Sequence, residues 1–305
     1  MTPSTNAIVT AGDVLTLDEL RSLRRTSGLR GAALVAHAWA VIAGAMAVYT
    51  LWPSALTLAL AVVVIGSRQL GLIVLMHEAA HWLLAPGQRM NNRLGNWLCA
   101  YPVWGENLRT YRRRHHLHHR HTQQADDPDL ALAAPASHAR LWRDALADLS
   151  GWTAGAAALR WRPWRDPAPI GWRRLRGPLA GNAVLFGALA GAGHWHLYPL
   201  LWLLPLATWY LLLTRLRSVA EHAMVATDDD PLRNARTTAA GLLGRVFLAP
   251  YWVNHHLEHH LFVFVPCWKL PRAHALLVTK GFGARMETAP GYLDVIRRAT
   301  AGRLR

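Results

Sequence analysis

Cysteine is almost absent. The 305 residues hold two, Cys99 and Cys267, in no CxxC pair, which excludes a disulfide framework and any CxxC iron–sulfur or flavin-linked module. A reducing compartment is compatible with that usage. Acidic residues are also scarce, 18 Asp and Glu against 33 Lys and Arg, leaving a net charge of +15. Charge of either sign is missing altogether from residues 31–67 and 177–214. No cleavable leader is expected before residue 31, because the first 30 residues are polar and carry Arg21, Arg24, Arg25 and Arg30. No internal repeat or domain linker appears, so residues 1–305 read as one domain.

What fills the uncharged stretches is apolar. A spanning helix needs about 20 apolar residues, so each stretch has the length of a tight two-helix hairpin. Trp52-Pro53-Ser54 supplies the first turn, and the segment from Gly193 to Pro199 the second. The expectation is an all-α integral membrane protein with four transmembrane helices in two hairpins, over about 31–52, 54–76, 178–193 and 198–214. Every basic residue lies in 1–30, 68–176 or 215–305 and none at a hairpin tip. The positive-inside rule therefore puts both termini and the blocks 1–30, 77–177 and 215–305 on the cytoplasmic side, which is the cytoplasmic membrane if the source is bacterial. The basic charge borders the spans instead of forming a separate domain, which favours anionic lipid over nucleic acid as its partner.

Between the spans, Thr16 to Arg25 reads as a capped amphipathic helix lying at the interface. Arg68 is placed to snorkel. Residues 86–110 read either as an interfacial, re-entrant segment or as an apolar loop, 130–176 as surface helices and 241–252 as interfacial. His37, His138, His194, His196 and His274 are expected in packing or surface roles.

Three histidine groups stand out against this background. They are His77-Glu-Ala-Ala-His81, His115-His-Leu-His118-His119, and Asn254-His255-His256-Leu-Glu-His259-His260. At about 100° per residue, positions three and four apart share a helix face, so each group offers two or three imidazoles together. His222 sits just past the last span, at the depth of His77. Nine candidate ligands, His77, His81, His115, His118, His119, His222, His256, His259 and His260, exceed the needs of one metal and suit two. Imidazole alone does not name the metal. Glu78, Glu221 and Glu258 adjoin ligand histidines and are candidates to accept the distal ring proton.

His77 to His81 also matches HExxH, the pattern of a zinc metalloprotease, a reading that leaves the other two groups unused. A transporter or metal store would spread its ligands along the spans near the midplane, whereas these gather at one face. A redox pair of metals at a membrane face points instead to oxygen activation.

In order and spacing these groups resemble the three histidine boxes of the integral-membrane fatty acid desaturases, over about residues 50–275. Ala220-Glu221-His222 resembles that family's additional ligand before the third box, and Asp126-Asp-Pro-Asp129 a frequent companion of the second. The resemblance implies two iron ions held by histidine and a cytosolic active site. O2 would be co-substrate, the substrate a lipid acyl chain, and the reaction desaturation, with lipid or carotenoid hydroxylation or ketolation as the alternative. It adds Asn254, Asp126 and Asp129 to the supporting residues. Electrons must come from outside, from a ferredoxin-like or cytochrome donor docked on basic residues such as Arg112, Arg113 and Arg114. His116, His121 and His255 are surplus to the family pattern, and Ser218 stands where some relatives carry asparagine.

Overall fold

The computed structural model describes residues 10–130, 137–160, 170–227 and 230–301. The first nine residues of the tail, and 131–136 and 161–169 of the expected surface helices, lie outside the described residues. The fold is mostly helical. Three helical stretches among the described residues are long and apolar enough to cross a membrane: α2 (Gly28–Leu51), α3 (Ala55–Ala80) and the composite Tyr198–His222. α1 (Leu17–Arg24) precedes them.

Helix starts follow local chemistry. Thr16 and Ser54 each build a capping box, the Ser54 hydroxyl accepting from Thr57 N–H at 3.1 Å, so α3 begins directly after the Trp52-Pro53 turn. In α2 the buried positions Gly31, Val35, Ala38, Ile42 and Met46 make one stripe against α3, while Val48 and Leu51 stay exposed as lipid would require. Gly31 is obligatory in that stripe, since a Cβ there would stand 1.8 Å from the Leu84 carbonyl oxygen. From Ile65 onward α3 is sheathed almost completely, which makes it the central post.

The expected span over 178–193 overlaps α7 (Ile170–Gly191), which begins earlier and ends two residues sooner. Arg174, Arg176 and Asn182 dilute its apolar character, so among the described residues three stretches, not four, are long and apolar enough to cross a membrane. The intervening elements are α4 (Leu108–Arg120), α5 (His138–Leu149) and α6 (Trp152–Arg160). The composite third stretch leaves helical geometry at Thr208 and resumes as α8 (Trp209–His222). Residues 88–103 form a chain of short helices, including a π-helical turn at Leu94–Ala100 packed along α3. Trp97 and Trp104 remain exposed there.

Two sequence expectations are corrected. Arg68 does not snorkel: it is 6 % exposed and donates to the Val246 carbonyl beside the Tyr251 ring. α1 does not simply lie on the interface, because Leu23 is fully buried and Glu19 pairs with Lys280 at 2.6 Å. After α8 come β1 (Thr237–Thr238), α9 (His256–Leu261), α10 (Leu270–Thr279), β2 (Thr288–Ala289) and α11 (Tyr292–Thr300). The β1–β2 parallel pair, absent from an all-α expectation, ties the loops behind α9 together.

Candidate metal centre

Four helix segments converge at one end of α3. α3 carries His77 in its last turn and ends on His81. Arg112 sets α4 against this end. Its guanidinium donates to the Ala80 carbonyl (2.8 Å), the Ala79 carbonyl (3.0 Å) and Asn92 Oδ1 (2.9 Å), and lies 3.5 Å over the Trp82 ring. A cation on the exposed carbonyls of a helix C-terminus is favourable on charge grounds as well. Arg112 thus ties α4 to the end of α3. Arg114 is likewise engaged, with Glu106 and Asp129 at 3.3 Å each, and only Arg113 of the three is free of such contacts.

The nine histidines fall into two clusters, and the boxes are dealt between them. His77, His81, His115, His119 and His259 form one; His118, His222, His256 and His260 form the other. Within each, the ligand atoms all lie within 4.8 Å of one another. Closest approaches run between Nε2 atoms: His81–His115 2.8 Å, His115–His119 2.9 Å, His119–His259 3.1 Å, His222–His256 2.8 Å and His256–His260 3.1 Å. Two nitrogens bound at right angles to one ion at ~2.1 Å stand ~3 Å apart, so these spacings suit a shared cation.

Proton counting supports the fit. A neutral imidazole has one N–H. The buried Nδ1 atoms of His119, His222, His256 and His259 meet no hydrogen-bond partner, nor does His77 Nε2. With protons on Nδ1, bare Nε2 lone pairs point at one another, an arrangement that a cation stabilises. Burial, reinforced by neighbouring cationic groups, pushes His81 down to about 3 and holds His115, His119, His256, His259 and His260 well below the usual imidazole range. These rings are therefore neutral, as metal ligation demands.

The supporting acids divide differently from the expectation. His118 Nδ1 meets Asp127 Oδ1 at 2.9 Å, with both side chains buried. Burial alone raises the Asp127 carboxyl, but His118 and the backbone N–H groups of Asp129 and Gln123 outweigh it and lower it. Asp126, the neighbour named from sequence, is exposed, and Asp129 is drawn to Arg114. The DDPD stretch pointed to the right turn without saying which carboxylate turns inward. Glu78 accepts the Cys267 backbone N–H at 2.8 Å and stands 3.9 Å from His77 Nδ1. Tied down and 2 % exposed, it is badly placed to activate water as an HExxH protease requires.

Glu258 faces away from the clusters. It accepts from His274 Nδ1 at 2.6 Å and from the Thr237 hydroxyl at 2.5 Å, clamping α9 to α10 and β1. Burial would raise it, yet contacts with His255 and His274 bring it down to about 2. His274, expected in a packing or surface role, is thus part of this clamp; its long separation from box three in sequence concealed it. Asn254 donates to the Thr238 carbonyl at 3.1 Å and holds the approach to α9. His116 is exposed, and neither it nor His121 joins a cluster, while His255 stands with Glu258 and His274. His37 meets the Tyr251 hydroxyl at 3.1 Å and His138 the Thr300 hydroxyl at 3.0 Å, and neither belongs to a cluster.

A cavity of about 140 Å³ touches ligands of both clusters, among them His77, His115, His118, His222 and His256, and is walled by Tyr111, Arg217 and Glu221. Tyr111 stacks on His115 with ring centroids 5.3 Å apart.

Comparison with known proteins agrees with this geometry. A dihydrorhizobitoxine desaturase of Bradyrhizobium elkanii is 28 % identical over 297 residues, covering 89 % of this chain and 79 % of the relative. Two beta-carotene ketolases from Paracoccus strains are 27 % and 26 % identical over 206 and 205 residues, each covering 66 % of this chain and 73 % or 72 % of the relative. The fatty acid desaturase family pattern matches residues 50–280, the stretch that holds all nine histidines. The chain belongs to the fatty acid desaturase family and is an oxidoreductase of helical, membrane type.

Proposed function

We propose that the two clusters hold two iron ions, His77, His81, His115, His119 and His259 around one and His118, His222, His256 and His260 around the other, and that the protein desaturates a lipid acyl chain. The observation that carries this is the convergence of nine imidazoles into two groups at one end of apolar helices. A bound iron pair supplies oxygen chemistry strong enough to attack an unactivated C–H bond, with O2 as co-substrate and two electrons from outside. The chain's own contribution is to keep the His115 ring neutral by burial, to fix the His118 ring through Asp127, and to place a small cavity against ligands of both clusters. Hydroxylation or ketolation is the second reading, favoured by the similarity to the two ketolases.

The proposed topology keeps four spans in two hairpins and one domain, with α7 as the third span and the termini and clusters on the cytoplasmic face. An open cavity of about 700 Å³ beside α4 is lined by Arg109, Arg113, Arg114 and Arg174 and, among the described residues, by no acidic one, which suits an acidic ferredoxin or cytochrome donor. The test is elemental analysis of protein purified in mild detergent from iron-supplied cells, followed by lipid profiling of an expressing host. Two irons per chain and new double bonds support the reading; one zinc and no iron after reconstitution sinks it. New hydroxyl or keto groups without double bonds select the second reading.

A further inference from the structure

Five histidines surround one position and four the other, so the second cluster is one donor short of the first. Three buried carboxylates approach the ligand histidines, and two approach from behind. Asp127 takes the distal Nδ1 of His118 at 2.9 Å, and Glu78 lies nearest the Nδ1 of His77 while bonded to the Cys267 N–H. Glu221 approaches from the front. Its Oε2 stands 3.7 Å from His256 Nε2, the nitrogen that itself lies 2.8 Å from His222 Nε2 and 3.1 Å from His260 Nε2 at the middle of the cluster. The other carboxylate oxygen is occupied, since Arg217 Nε donates to Oε1 at 2.6 Å from one helical turn away. Glu221 and Arg217 both line the small cavity shared by both clusters, and Oε2 is left to the ring of His256.

We propose that Glu221 is a metal ligand, its Oε2 completing the donor set of His118, His222, His256 and His260. The inference rests on the reading that both clusters hold iron. A carboxylate is a hard anionic donor well suited to iron, and here it brings negative charge to a group of four imidazoles while Arg217 balances its other oxygen. It also separates this chain from a site built of histidine alone. Ser218, four residues before His222, also lines this cavity, but its hydroxyl is spent on the Thr214 carbonyl at 3.0 Å.

The experiment compares wild type, Glu221→Gln and Arg217→Gln as detergent-purified, 57Fe-loaded reduced protein. The readouts are Mössbauer spectra, iron per chain and the rate of iron release to a chelator. Wild type is expected to show two ferrous environments. In Glu221→Gln one environment changes or is lost and its iron leaves at least ~10-fold faster, while the other is unchanged and certifies the fold. Arg217→Gln keeps both irons, because the carboxylate survives. Two unaltered environments and unaltered release in Glu221→Gln overturn the proposal, as does an Arg217→Gln protein that loses the same iron as Glu221→Gln, which would make the ion pair structural. A wild type that binds no iron overturns the di-iron reading itself, and this inference with it.

Discussion

Asp127 is the most informative residue to change, because its side chain carries a single identifiable task beyond its own turn. Its Oδ1 meets His118 Nδ1 at 2.9 Å, and its two oxygens also receive the backbone N–H groups of Gln123 and Asp129 at 2.9 Å each. Asparagine can still accept one of these bonds but has no charge to hold the ring's N–H, so the His118 ring loses orientation and basicity. Losing such a carboxylate partner costs roughly 10–100-fold in metal affinity, or about 1.4–2.7 kcal/mol. Asp127→Asn should fall toward the low end and Asp127→Leu, which also abandons the turn, toward the high end. Asp126→Asn is the control, since Asp126 is exposed. The assay is competition between purified protein and a chromophoric chelator for iron, read beside the circular dichroism of each variant. Equal affinities in wild type and Asp127→Leu, or an Asp126→Asn defect as large as that of Asp127→Asn, would refute the reasoning.

His119→Ala and His260→Ala are expected to abolish turnover while membrane insertion, followed by fractionation, stays normal; His138→Ala and His194→Ala should retain most activity. Arg112→Ala removes three hydrogen bonds to the C-terminal end of α3 and its neighbour Asn92, together with the Trp82 stack, and should lower stability by about 2–4 kcal/mol in detergent melts. Arg112→Lys should recover only part of that. The hydrogen bond to Glu258 raises the His274 imidazole above its ordinary value. Its contribution to stability is therefore complete below about pH 6.5 and fades as pH rises through the raised value. Melting temperature followed from pH 5 to 9 should show that decline in wild type and a flatter profile in His274→Gln; identical slopes would exclude it.

Much of this protein is written in local sequence. The uncharged stretch 31–67 and the Trp52-Pro53-Ser54 turn specify two apolar helices, because bilayer thickness and capping are local constraints. The histidine spacings specify which rings share a helix face, since that follows from 100° per residue. Helical phase does not say which neighbouring element a face meets. His115, His118 and His119 lie within one arc of α4, yet His118 joins His222, His256 and His260, while His115 and His119 join His77, His81 and His259. α9 is split the same way, with His259 leaving its two companions. That partition depends on α4 and α9 both lying between the two positions, and it is Arg112 on the end of α3 and the Glu258–His274–Thr237 clamp behind α9 that hold them there. The choice of Asp127 over Asp126, the burial of Arg68 and the approach of Glu221 to His256 have the same origin. Each is decided by contacts between residues far apart in the chain, whose directions exist only once the helices have packed.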